Sequence, residues 1–267
     1  MNIKDVDKSE FKAPGESGKV LPLIFKAQEE LMVKYQEIER MPPWPMGFQA
    51  KPSQLWFKDF LWRVNEEISE AMEALFEIPG CKSTDLLHAH TTHFFEEISD
   101  AIHFLVELMI IAGVPSRTPG VSVDVLVATE DLFSNAGRPP ICSNLGSSFF
   151  CTPDSLLFDG NGELVPMEAL QISNSISIRA LELESMIAAD QCSQIQYQLG
   201  LAGNVLKNKR WKQTDVVSDK GAFDAKVCTV AKKVFLMLMQ CGFRTDDIYL
   251  LYMAKKKVNQ WRQETNY

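Results

Sequence analysis

The sequence has no stretch approaching the ~18 uninterrupted apolar residues that a membrane span requires. Its opening, MNIKDVDKSEFKAPGESGK, has no apolar core of the secretory-signal kind. These two absences predict a soluble, cytoplasmic protein with no membrane partner. The cysteines, Cys81, Cys142, Cys151, Cys192, Cys228 and Cys241, lie far apart and form no C-x-x-C pair, which predicts reduced thiols used for packing. Phosphate-cradling loops of the G-x-x-x-x-G-K-[ST] and G-x-G-x-x-G kinds are missing. Any phosphate must therefore be held by metal and side chains. The G-x-S-x-G elbow is missing too, which lowers a serine-hydrolase reading.

What the chain does have is enough apolar residue, 46% of 267, to bury a full core in one large domain or two small ones. The net charge of −8 is divided unevenly. Residues 1–206 hold 14 Lys+Arg against 29 Asp+Glu, whereas residues 207–267 hold 13 against 6. A site for a polyphosphate and a divalent metal needs both signs close together, carboxylates for the metal and Lys or Arg for phosphate oxygens. Simple attraction between an acidic body and a basic tail accounts for the same division. Nucleic acid is not an expected partner, because 35 acidic residues would repel its backbone.

The pattern along the chain is mostly helical. A polar, flexible leader over 1–18 precedes VLPLIFKAQEELMVKYQEIER, whose apolar residues recur at helical spacing. MPPWPMGFQAKPS interrupts it, since each proline removes a donor and biases its predecessor away from helix. Ser53 is the expected cap of a second helix ending near Glu77, and Ser83 or Thr84 that of a third ending near Ala112 with Gly113 as its stop. Residues 115–165 change to short β-branched and aromatic runs, an irregular insertion with little helix. Further helices are expected near 166–208, broken around Asp190, and near 219–241 and 245–262. The fold class is all-α: a helical bundle whose core segments, 19–114 and 166–267, complete one domain around the insertion.

A repeat dominates this pattern. EEISEAMEAL at 66–75 and EEISDAIHFL at 96–105 share six of ten positions. Leu61, Val64, Ile68, Ala71, Met72 and Leu75 form an apolar stripe with Glu67 and Glu70 at its edge. Phe94, Ile98, Ala101, Leu105 and Leu108 form another, with Glu97 and Asp100 at the equivalent edge. Residues three apart share a helix face, so antiparallel packing of the two stripes brings four carboxylates together. Four such groups cannot all stay ionised at a half-buried edge, and a hard cation such as Mg²⁺ resolves the conflict. A pair of solvated helix faces with similar packing needs is the alternative.

Two other clusters stand out. NVLKNKRWKQT places Lys207, Lys209, Arg210 and Lys212 around Trp211, suited either to a base and its phosphates or to a basic helix end. All the histidines, His88, His90, His93 and His103, fall within sixteen residues, but HAHTTH matches no familiar zinc spacing. His103 follows Asp100 by three and shares its face.

E-x-x-E followed by E-x-x-D and Asp100-Ala-Ile-His-Phe104 resembles the signature of the all-α NTP pyrophosphatase superfamily, which includes dimeric dUTPases, phage dCTP/dUTP pyrophosphatases and MazG. The end of the chain, LYMAKKKVNQWRQETNY, resembles the K-x-x-x-N-x-x-R-Q-x-x-G-Y motif of the dimeric dUTPase and phage branch through Lys255, Asn259, Arg262, Gln263 and Tyr267. KAQEEL matches that branch's first-helix glutamine through Gln28. These segments cover about half the chain, in the family's order. The glycine before the final tyrosine is Asn266 here, an asparagine that dimeric dUTPases often carry after the glutamine is aligned with Met32, and 115–165 matches nothing in the family.

The resemblance implies a homodimeric Mg²⁺-dependent hydrolase that converts dUTP, or dCTP, to the monophosphate and pyrophosphate. Glu67, Glu70, Glu97 and Asp100 would hold two or more Mg²⁺ ions, with Mn²⁺ as a substitute, and Glu67 or Glu70 would act as general base. Lys255, Asn259, Arg262 and Lys212 would bind phosphate. Gln28 and Trp211 would meet the base, and His103 and Phe104 the sugar. A pyrophosphohydrolase of a purine or modified dNTP, and a non-catalytic helical scaffold, are the competing expectations.

Overall fold

The computed structural model describes residues 3, 6–11, 20–81, 83–114 and 167–265, with backbone only at 84 and 167–181. Most of the expected leader, the whole 115–165 insertion, Asn266 and Tyr267 lie outside these residues. Among the described residues there are six α-helices, a 3-10 turn at Lys8–Glu10 and no strand. The all-α class is therefore observed. The helices are α1 (Val20–Glu39), α2 (Lys51–Phe76), α3 (Thr84–Ile111), α4 (Met167–Val205), α5 (Lys220–Gln240) and α6 (Thr245–Thr265).

Local chemistry sets the boundaries. The second helix begins two residues before the expected Ser53 cap, with Ala50 as N-cap and Pro52 in the first turn, where its fixed φ suits the helix and its missing N–H costs nothing. Ser83 does cap α3, its side chain accepting from the Leu86 N–H at 3.2 Å. Gly113 ends α3 at φ 64°, a left-handed conformation that L side chains rarely adopt. The expected break at Asp190 is absent: α4 runs unbroken for 39 residues. Asp219 caps α5 by accepting from the Ala222 N–H. Ile3 and Val6, inside the segment expected to be flexible, are buried in the core.

The third helix is the axis of the bundle. Phe94, Phe95, Ile98, Ala101, Ile102, Leu105, Leu108 and Ile111 are all fully buried, so apolar side chains surround it on every side. The α2–α3 pair, joined by a short turn, makes the most extensive packing. On the other flanks α1, α5 and α6 each pack against α3, and α4 packs against α2 and α5. The buried polar residues of α3, such as His103 and Glu107, must therefore find partners within the protein.

Candidate functional site

The antiparallel pairing of α2 and α3 brings the repeated acids together as their spacing predicts. Carboxylate oxygens of Glu67, Glu70 and Glu97 all lie within 4.8 Å of one another. Glu70 is exposed, Glu67 half-buried and Glu97 12% exposed. Glu67 is held far above the usual carboxylate range, first by removal from water, then by a hydrogen bond with Glu97 and the charges of Asp100, Glu97 and Glu70. Glu70 is raised in the same direction, by partial burial and then by Glu97. His93 Nε2 sits 2.9 Å from Glu97 Oε1. Among the described residues this carboxylate trio is the sole grouping with metal-ligand spacing, so the histidines do not form a second one.

Asp100 meets the cluster differently. Its carboxylate is 2.7 Å from Lys255 Nζ, in a pair with side-chain exposures of 17% and 6%. Lys255 thus reaches the site from α6 as the counterion of Asp100, rather than as a cation open to phosphate. Glu96, one turn earlier, is raised by burial, and the Lys255 charge draws it back down.

A cavity of about 570 Å³ opens beside these acids. Gln28 of α1, Glu67 of α2, Asp100, His103 and Phe104 of α3, and Asn259 and Arg262 of α6 all line it. Gln28, His103, Phe104, Asn259 and Arg262, separated by up to 234 positions in sequence, therefore share one chamber with two of the acids. Met32 is fully buried in the core, and the residue that α1 turns to the cavity beside Gln28 is Leu31.

Lys212 and Trp211 are not brought there. Their loop is tied to the start of α2: Lys51 Nζ donates to the carbonyls of Arg210 and Lys212, and Lys58 Nζ to that of Asn208. Sixteen residues of helix separate Lys51 from Glu67, roughly 24 Å at the α-helical rise. Trp211 is 77% exposed, with Lys209 over its ring. The anchor is a buried polar network. Gln54 accepts from the Asn208 N–H and donates to Ser218 Oγ, while Asn208 Nδ2 donates to the Gln49 carbonyl.

Four further polar residues enter the cavity that the motif spacing does not single out: Tyr35, Glu39, Arg63 and Glu107. Arg63 donates to both Glu39 oxygens at 2.9 Å and lies over the Phe60 and Phe104 rings. Burial opposes its charge, and the Glu39 carboxylate more than restores it. A signal for Arg63 existed, because it stands one turn before Glu67 on the same face. The signal for Glu107 was sharper still: a single acid inside FLVELMIIA must be buried.

Buried polar groups knit the inner wall. Gln28 Nε2 donates to Glu107 Oε2 at 3.2 Å, and Tyr252 Oη donates to Gln28 Oε1 at 2.5 Å. The His103 ring stacks on Tyr252 at 4.1 Å, and its Nδ1 is 2.8 Å from the Ser99 carbonyl. A carbonyl only accepts, so Nδ1 carries the proton and Nε2 is left as an acceptor. Burial holds the ring neutral, with a pKa down at about 4, and Nε2 has no hydrogen-bond partner.

Comparison with protein-family models, with curated proteins and with solved structures finds no match to this chain.

Proposed function

We propose that this chain is a metal-dependent pyrophosphohydrolase of a pyrimidine deoxynucleoside triphosphate, dUTP first and dCTP close behind, releasing the monophosphate and pyrophosphate. The observation that carries this reading is the convergence of Glu67, Glu70 and Glu97 beside a chamber that also holds Asn259 and Arg262. Acid for a metal and nitrogen donors for phosphate thus occur together.

The donor set suits a hard divalent cation. It is all oxygen, and the Glu67–Glu97 hydrogen bond needs a proton between two carboxyl groups that such a cation would displace. Glu67, Glu70, Glu97 and Asp100 would hold Mg²⁺, two or more ions, or Mn²⁺ in its place. Bound there, the metal would polarise phosphate oxygens and lower the pKa of a water.

The chain's own side chains do the rest. Glu67 or Glu70 takes the proton of the attacking water. Arg262 and Asn259 bind phosphate oxygens and offset the charge growing on the leaving pyrophosphate. Lys255 holds Asp100 in position from behind. The Phe104 ring lies against the sugar, where it crowds out a 2′-hydroxyl, while Gln28 and His103 form the inner wall around the base. The homodimer in this reading rests on the resemblance of the C-terminal motif, Lys255 to Tyr267, to dimeric dUTPases.

The test is pyrophosphate release from dUTP, dCTP, dTTP, dATP and dGTP, with Mg²⁺ and with EDTA. Metal-dependent release from dUTP or dCTP is expected. Release from a purine alone would keep the site and replace the substrate. No release from any of the five would overturn the enzyme reading in favour of a helical scaffold.

A further inference from the structure

The inner end of the cavity contains two groups that phosphate and metal chemistry leave unused, His103 Nε2 and the Glu107 carboxyl. They stand three and seven residues after Asp100 on α3, the face that runs inward from the acids. Seven residues of helix advance about 10 Å. That is the reach from a nucleotide's α-phosphorus, placed at the acids, to the far edge of its pyrimidine ring.

Hydrogen bonding fixes what each group offers. His103 Nε2 is an acceptor with no partner, because Nδ1 is committed as donor to Ser99. Gln28 is held in place from both sides: Tyr252 donates to its oxygen, and one of its two amide hydrogens goes to Glu107 Oε2. With Oε2 held as acceptor, Oε1 is where the Glu107 carboxyl carries a proton.

We propose that Glu107 reads the base, its carboxylic acid donating from Oε1 to the 4-keto oxygen of a pyrimidine while His103 Nε2 accepts the ring N3–H, so that the pocket selects uracil over cytosine. The assignment rests on the pyrophosphohydrolase reading for the placement of the triphosphate. Cytosine inverts both contacts: its amino group meets a donor and its N3 lone pair meets an acceptor. Two mismatched buried polar pairs are the kind of penalty that yields strong discrimination. Thymine presents the same edge as uracil, and Glu107 does not separate those two.

The surroundings hold Glu107 in the acid form. Its carboxyl is pushed up to about 8, first by burial and then by the Glu39 charge, with Arg63 and the Gln28 amide acting the other way. Around it stand Gln28, Tyr35 and Glu39 from α1, Arg63 from α2, Tyr252 and Arg262 from α6, and His103 on its own helix. Ionised, Glu107 becomes an acceptor that suits the amino group of cytosine and repels the keto oxygen of uracil. Selectivity therefore shifts toward cytosine as pH rises through the Glu107 transition.

The experiment measures kcat/KM for dUTP and dCTP with Mg²⁺ from pH 6 to 9, for the native chain and for Glu107→Gln, whose amide cannot ionise. The native ratio of dUTP to dCTP is expected to fall at least about tenfold across the range, and the Gln variant to show a flat ratio. A pH-independent native ratio, or parallel profiles in the two proteins, would overturn the assignment. So would a dCTP preference at pH 6. If Glu107→Gln fails to fold by circular dichroism, the native profile alone decides. If no triphosphate is cleaved, the pyrophosphohydrolase reading has failed separately, and calorimetric binding of dUMP and dCMP across the same pH range takes over. Tighter dUMP binding that weakens with pH supports Glu107 as the reader, and equal binding, or none, rejects it.

Discussion

Lys255 on α6 places its ammonium 2.7 Å from the Asp100 carboxylate on α3, with both side chains largely out of water. Lys255→Met should therefore destabilise the fold, since it leaves a largely buried carboxylate without a counterion. A loss of about 1–3 kcal/mol in urea unfolding is expected, less than for a fully enclosed pair because Asp100 keeps some solvent. Combining it with Asp100→Asn should recover much of that loss. Strict additivity in the double-mutant cycle would show that the two groups do not couple.

Removal from water, then the hydrogen bond with Glu97 and the charges of Asp100, Glu97 and Glu70, favour the protonated form of Glu67. Divalent metal must displace that proton, so Mg²⁺ binding should release protons in weakly buffered solution near pH 7 and tighten as pH rises. Glu67→Gln should abolish the release and lower pyrophosphate production by at least about 100-fold, while leaving thermal stability equal or slightly higher. Isothermal titration in two buffers of different ionisation enthalpy reads the proton count directly.

Glu107 gives the folded chain a proton that the unfolded chain surrenders near the ordinary glutamate value of 4.5. Because its folded pKa is raised to about 8, its stabilising contribution is complete below pH 4.5 and is lost as pH climbs through about 8. Unfolding free energy in urea should decline across that window, and Glu107→Gln should flatten the decline. A slope unchanged in the variant would assign it to other groups.

Gln54 holds the 206–219 loop through hydrogen bonds to Asn208 and Ser218, all three buried. Gln54→Leu leaves those partners without a hydrogen-bonding group and should cost about 2–3 kcal/mol in stability. Trp211→Ala, at the exposed tip of the same loop, should stay within about 0.5 kcal/mol of the native chain. Thermal melts of the two variants separate anchor from tip.

Much of this arrangement was legible in the sequence for a local reason. Helical spacing fixes which residues share a face, so Glu67 with Glu70 and Glu97 with Asp100 could be placed at the edges of their stripes without any tertiary knowledge. The Ser83 cap and the Gly113 stop are equally local. What could not be read depends on docking between distant segments. Nothing near Lys255 announces Asp100, 155 positions earlier, as its partner, and nothing near Trp211 shows that Gln54 anchors its loop away from the acids. Asp190 failed as a break because an acid interrupts an apolar pattern without breaking a helix, which α4 carries straight through.

The hydrogen bond between Tyr252 and Gln28 spans 224 positions and closes the cavity between α1 and α6. During synthesis, then, α1 to α3 can assemble with their acids in register while the chamber still lacks its α6 wall. Long-range closures of this kind come late, because the intervening chain must be ordered before they are rewarded. A nascent chain would thus hold its carboxylate trio before it holds a complete cavity beside it, and the chamber would be enclosed in a single step, with the arrival of α6.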